Sequence, residues 1–198
     1  MDIMVIVYAI LAYLIGSIPS GLIIGKTFFN TDVRQYGSKN IGATNTYRVI
    51  GLKAALPVFL CDALKGAAGV ILLSSYGPMY MILGGILAMM GHNWSIFLGF
   101  KGGRGVATGL GVLIALPPLV ALIAFWVWGG IVYFTKLVSL GSIIAAALVP
   151  ILMYFTGESY WFVGFGALAA LFVIVRHWDN IKRLLAGNEL KVERIKKD

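Results

Sequence analysis

Long apolar runs along this chain are separated by short polar interruptions. The runs cover roughly 3–26, 52–73, 79–97, 105–116, 118–134, 138–155 and 160–175. A helix needs about 20 apolar residues to cross a bilayer, and fewer when packed inside a bundle. All but one of the runs meet that demand. The run 105–116 is too short and predicts a short helix that starts below the membrane surface. Pro117 and Pro118 then force a turn, because proline lacks an amide donor and disfavours helix in the residue before it. The pattern predicts an all-α integral membrane protein, a bundle of seven transmembrane helices, some short. Six helices result instead if 105–134 forms one broken hairpin. Residues 1–198 are expected to form a single polytopic membrane domain.

Composition supports the membrane assignment. The 198 residues are 60% hydrophobic and only 12% charged, against about 25% charged in soluble domains. The first run has no basic flank and no small-residue cleavage site, so it predicts a first span, not a signal peptide. A single cysteine, Cys61, excludes an internal disulfide and a multi-cysteine metal site. With two histidines beside it, no zinc site is expected. No metal and no cofactor are predicted.

The formal charge is +8, and its distribution sets the topology. Of 16 basic residues, seven lie at or beyond Arg176. Lys26, Arg34, Lys39, Arg48 and Lys53 surround the first loop, Lys101 and Arg104 the third, and Lys136 the fifth. The loops near 74–78, 117–118 and 156–159 have no basic residue. With seven spans the positive-inside rule puts the N-terminus outside and the C-terminus in the cytoplasm. The excess charge also suits anionic substrates. No nucleic-acid partner is expected, and a monomer is the expected state.

Three polar clusters fall on that cytoplasmic side: Asp32 to Arg48, Gly91 to Gly105, and Arg176 to Glu189. Lipid residence alone does not require them, and they predict one site divided among three loops. In the first, Gly37-Ser38-Lys39-Asn40-Ile41-Gly42-Ala43-Thr44-Asn45 alternates small and polar residues. Such a run can turn successive amides and hydroxyls toward one anion, with Arg48 available for a bidentate phosphate contact. The bland alternative is a solvated loop. In the second, Gly91-His92-Asn93-Trp94 is followed by Lys101-Gly102-Gly103-Arg104-Gly105 just before an apolar helix. Amides at a helix start between two cations make a phosphate cradle. Gly105 and Gly109 also form a small-residue packing pair. In the third, His177 and Asn180 are three apart and share a helix face. Lys182 and Arg183 suit topology anchors.

Other features are less specific. Asp62 and Lys65 lie within an apolar span at a spacing that permits pairing. They are a structural pair, or Lys65 meets a substrate. Pro19 predicts a kink in the first span that opens a lateral cleft for a lipid chain. Gly21 to Thr27 resembles a phosphate-binding loop, but has three residues between its glycines instead of four and follows no strand. A transporter of a phosphorylated metabolite is the rival class. It predicts a midplane site within an internal repeat, and no repeat is visible.

These three stretches, with the Gly16-Ser17-Ile18-Pro19-Ser20-Gly21 start and the Asp62/Lys65 pair, resemble the PlsY family of bacterial acyl-phosphate:glycerol-3-phosphate acyltransferases over nearly the whole chain. Many members have glycine where this chain has Lys39, and lysine where it has Arg104. The resemblance implies transfer of an acyl group from acyl phosphate to the 1-hydroxyl of glycerol 3-phosphate. The products are lysophosphatidic acid and inorganic phosphate, in the first step of phospholipid synthesis. It implies a bacterial plasma (inner) membrane location with the site facing the cytoplasm, and membrane lipids as surroundings. Carried over, the catalytic set is Ser38, His177 and Asn180. The binding set is Arg48, Lys39, Asn40, Thr44, Asn45, His92, Lys101, Gly102, Gly103, Arg104 and Gly105. Glu189 is structural by the same resemblance. The proton acceptor is His177 or a substrate phosphate.

Overall fold

The computed structural model describes residues 2–195, and all regular elements among them are helical. Lys196 and Lys197, counted above with the C-terminal basic residues, lie outside the described residues, as do Met1 and Asp198. The first apolar run forms two helices, α1 (Ile3–Ser17) and α2 (Ser20–Phe29), bent by 46° at Ile18 and Pro19. Asp2 caps α1 through its carboxylate, which accepts from Met4 N at 3.0 Å. Asn30 ends α2 in a left-handed conformation. The first polar cluster then contains a 3-10 turn and the short α3 (Ala43–Val49).

Next come α4 (Leu52–Leu72), α5 (Pro78–Asn93), α6 (Val106–Ala115), α7 (Pro118–Thr135), α8 (Val138–Phe155) and α9 (Tyr160–Arg176). After a bend of 62° at His177 follows α10 (Trp178–Leu185). Among the described residues, four helices are long and apolar enough to cross a membrane, or up to six spans if each bent pair counts as one. Val106–Ala115 is the short apolar helix expected before the paired prolines. Large side chains such as Phe28, Leu64, Trp126 and Phe134 face outward, as a lipid-facing surface requires.

Small residues bring these helices together. Lipid supplies no hydrophobic drive for helix association, so close backbone approach and van der Waals contact must do the work. α1 meets α5 where Gly16 lies on the backbone of Ala88 and Gly91 on that of Tyr13 and Ser17. α4 meets α6 at Gly66, against the Thr108 carbonyl, and at Gly111, against the Ala63 carbonyl. The predicted Gly105/Gly109 packing pair is not the contact. A side chain on Gly109 would find ordinary space beside Met89, whereas Gly105 has a φ of 78° and begins α6. These tight contacts set α4, α5 and α6 as the frame that carries the second polar cluster. An apolar cluster that includes Val112, Val120, Val149, Met153 and Phe165 joins α6, α7, α8 and α9.

Candidate functional site

One buried amide organises the first cluster. Asn45 is 1% exposed. Its Nδ2 donates to the carbonyls of Val33 (2.8 Å), Asn40 (2.9 Å) and Tyr36 (3.2 Å), and its Oδ1 accepts from the Ser38 amide at 2.9 Å. Its two Nδ2 hydrogens are shared among the three carbonyls, Tyr36 O being the longest contact, and the positions of Ser38 and Asn40 are set. Lys39 is held at a φ of 58°. Side chains beyond glycine avoid this left-handed region because Cβ crowds the next carbonyl. That crowding accounts for the glycine expected here by resemblance.

Arg48, 4% exposed, reaches the far end of the chain. Its Nε donates to the Lys191 carbonyl at 2.9 Å and its Nη2 to that of Leu190 at 2.6 Å. The Ile195 amide returns a bond to the Arg48 carbonyl at 2.9 Å. Both forked donors therefore strap the C-terminal segment across the site. Glu189 lies just before that segment with its side chain buried, and its carboxylate accepts from Asn180 Nδ2 (2.7 Å) and Arg183 Nε (2.8 Å).

The glycine loop of the second cluster is built differently from the predicted cradle. The Gly102 amide donates to the Asn93 carbonyl at 3.1 Å and the Gly103 amide to the His92 carbonyl at 2.9 Å. Neither is left for an anion. Their carbonyls are also engaged: Arg176 Nη2 donates to Gly102 O at 3.0 Å and Arg176 Nε to Gly103 O at 3.1 Å. The guanidinium also lies over the Trp94 ring, 5.9 Å from its centroid. A Cβ on Gly103 would strike the His92 ring, and one on Gly102 the His92 carbonyl. The glycines allow this loop to lie flat on His92 and Asn93. The residues at the start of α6, from Arg104 to Ala107, line the cavity, which therefore lies at the positive end of the helix. Arg176 opens the third cluster in the sequence, but its role as a clamp on the second had no local signal.

His177 and Asn180, each 2% exposed, stand at the bend between α9 and α10. His177 Nδ1 lies 2.7 Å from the Val173 carbonyl. A carbonyl only accepts, so Nδ1 holds the proton in the neutral ring and Nε2 keeps the lone pair.

Two hollows meet among these groups. The first combines a polar mouth (Ser38, Asn40, Thr44, Asn45, Arg48, His92, Arg104, Gly105, His177, Asn180 and Glu189) with an apolar interior of α5 to α9, including Leu113, Ala145, Val149, Phe165 and Ala170. The kinked first span does not line it, so the cleft expected at Pro19 is not where the apolar space lies. The second is polar and cationic, bordered by Arg34, Lys39, Lys101, Gly102 and Arg176. Ser38, Asn40 and Arg104 border both. Of the predicted residues, Gly103 borders neither and lies against His92.

The junction is short of negative charge. Burial pulls the Arg104 pKa down to about 10, with Glu189 opposing and Arg183, Arg48 and Arg176 adding repulsion. Burial lowers Arg48 too, again against the pull of Glu189. Both stay charged at neutral pH, and an anion would relieve their repulsion. Asn180 Oδ1 and Ser139 Oγ are buried without a hydrogen bond among the described residues. The arrangement suits an amphiphile whose chain occupies the apolar hollow and whose charged head meets a second anion at Ser38 and Arg104. No group of three or more metal-binding side chains occurs among the described residues.

A family model described as Glycerol-3-phosphate acyltransferase matches residues 6–187. Glycerol-3-phosphate acyltransferase of Fusobacterium nucleatum is 46% identical, over 93% of this chain and 96% of its own. Glycerol-3-phosphate acyltransferase 2 of Moorella thermoacetica is 47% identical, over 92% and 95%. Crystal structures of PlsY, an integral membrane glycerol 3-phosphate acyltransferase, are similar throughout. Its glycerol 3-phosphate form superposes with a TM-score of 0.90 at 39% identity, covering 94% of each chain. Its lysophosphatidic acid form gives 0.87 at 38% identity and the same coverage.

Proposed function

The chain belongs to the glycerol-3-phosphate acyltransferase family, and from that premise we propose that it acylates the 1-hydroxyl of glycerol 3-phosphate with acyl phosphate as donor. The products are lysophosphatidic acid and inorganic phosphate, as the first step of phospholipid synthesis. The carrying observation is the junction: an apolar hollow and a cationic hollow share Ser38, Asn40 and Arg104. An acyl phosphate spans such a junction with its chain among α5 to α9 and its phosphate at the cations. Glycerol 3-phosphate then enters through the cationic hollow, where Arg34, Lys39 and Lys101 attract its charge.

In the reaction the hydroxyl oxygen attacks the carbonyl carbon, and the bond from that carbon to the phosphate oxygen breaks. The donor is already activated, so the protein mainly aligns the two substrates and stabilises the developing negative charge. Ser38, Arg104 and the α6 amides surround the place where that charge forms. The hydroxyl proton goes to a substrate phosphate or to His177 Nε2, which has no hydrogen bond to the chain among the described residues. Asn180, held by Glu189, orients the reacting groups beside it. Asn45 acts through the loop it organises, and Arg48 through the segment it straps.

The protein is an integral membrane acyltransferase. We assign it seven spans, counting α1 with α2 as one, α4 to α9 singly and α10 as an interfacial helix. The N-terminus lies outside, and the site faces the cytoplasm of a bacterial cell. The distribution of basic residues supports this orientation. Palmitoyl phosphate supplied to purified protein should release inorganic phosphate only when glycerol 3-phosphate is present, with an equal amount of lysophosphatidic acid formed. Folded protein that releases none refutes the proposal. His177→Ala separates the proton acceptors. If the ring is the base, kcat falls by about 100-fold or more and the rise of rate with pH disappears. A modest loss with that rise intact assigns the proton to a phosphate.

A further inference from the structure

The most buried lysine–carboxylate pair among the described residues takes no part in the reaction described above, although Asp62 borders the first hollow, and its contacts end on the parts that hold the glycine loop. Lys65 and Asp62 on α4 have side chains 4% and 3% exposed and pair at 2.8 Å. Charges at this depth are expensive in a membrane, and functional sites are where they are retained.

Lys65 Nζ also donates to the Ile18 carbonyl at 3.0 Å. That carbonyl stands at the break between α1 and α2. The Leu22 amide, its regular helical partner, donates to Pro19 instead, and only the Ser20 amide remains as a backbone donor to Ile18. Lys65 thus fastens the elbow. One residue earlier, the Ser17 carbonyl accepts from Ser95 Oγ at 2.6 Å. On the other side, Asp62 Oδ1 lies 3.8 Å from His92 Nδ1, in contact but beyond hydrogen-bond distance, and apart from the Lys65 ion pair neither atom has a hydrogen-bond partner among the described residues. The His92 ring packs directly beneath Gly103, and its carbonyl accepts the Gly103 amide. The elbow, the ion pair, His92 and the glycine loop form one continuous chain of contacts.

We propose that Asp62 and Lys65 are positioning residues for the glycine loop: through His92 and the Ile18 carbonyl they set the height of Lys101 to Arg104 at the cationic hollow, and so the binding of the glycerol 3-phosphate phosphate. This rests on the acyl-transfer reading. A pair that served only to pack α4 against α1 would need neither the bond to the freed carbonyl nor the contact with His92, and apolar residues of similar volume would replace it without functional loss.

The test replaces both charges in Asp62→Leu/Lys65→Met, with Asp62→Asn as a milder variant that keeps the Lys65 bond to Ile18. Steady-state kinetics with palmitoyl phosphate and glycerol 3-phosphate are combined with hydrogen exchange at the Gly102 and Gly103 amides and with thermal melting in detergent. The expected result is a KM for glycerol 3-phosphate raised by about 10-fold or more, a KM for palmitoyl phosphate changed by less than about twofold, and faster exchange at both amides. Unchanged KM values and unchanged exchange overturn the proposal. So does a lowered melting temperature with equal loss toward both substrates, since that is the mark of a packing role. If the double variant does not fold, Asp62→Asn decides by the same KM comparison and exchange. If the unaltered protein shows no turnover dependent on glycerol 3-phosphate, the acyl-transfer reading fails, and exchange at the two amides still judges the positioning.

Discussion

Gly103→Ala puts the site's construction to its most direct test. A Cβ at this position would stand 2.7 Å from His92 Cε1 and 3.0 Å from Cδ2, with Nε2 closer still. To bring the Cε1 contact from 2.7 Å to an ordinary 3.4 Å, ring and loop must part by about 0.7 Å, and by more at Nε2. The ring cannot retreat. His92 is 4% exposed, with Asp62 behind it. The loop cannot lift freely either, because the Gly103 amide is bound to His92 O at 2.9 Å and its carbonyl to Arg176 at 3.1 Å. The strain divides between a stability loss of about 1–3 kcal/mol, typical of overpacking, and a displacement of Arg104 approaching 1 Å. Misplacement by about 1 Å lowers catalysis about 100-fold, close to 2.7 kcal/mol of barrier. Phosphate release at varied glycerol 3-phosphate gives kcat/KM, and melting in detergent gives the stability loss. Gly164→Ala is the control, since a side chain there meets nothing within 4 Å. A Gly103→Ala enzyme within about threefold of the parent would refute the argument that a flat loop on His92 sets the position of the cations.

Three further outcomes follow from the same geometry. Arg176→Lys should weaken the clamp, because one ammonium cannot reproduce the fork on Gly102 and Gly103; a stability loss of about 1.5–3 kcal/mol and a raised KM for glycerol 3-phosphate are expected, read by melting and kinetics. Asn45→Ala strands the Ser38 amide and up to three carbonyls, so it should lower stability by at least about 3 kcal/mol, seen as loss of folded protein on size-exclusion chromatography. Lys39→Gly relieves a side chain held at a φ of 58° and should raise stability by up to about 1 kcal/mol with kcat little changed, checked by melting and phosphate release.

Hydropathy determined where the apolar helices run, including the short α6, and proline marked the break at Pro19. Those features depend on composition averaged over each segment and on proline's missing donor, and neither needs a distant partner. The three polar clusters were legible for the same reason: groups expensive to bury stand out against an apolar chain. The Asp62/Lys65 pairing was also legible, because residues three apart on a helix share a face. What the tertiary structure decided is which donor meets which acceptor. The Gly102 and Gly103 amides looked free for an anion and are held by His92 and Asn93. Arg48 looked free for a phosphate and binds carbonyls more than 140 residues away, at |i−j| of 143 and 142. The apolar hollow lies among α5 to α9, not at the Pro19 kink. A hydrogen bond is satisfied by any suitable group within about 3 Å, and only the folded helices bring those groups that close.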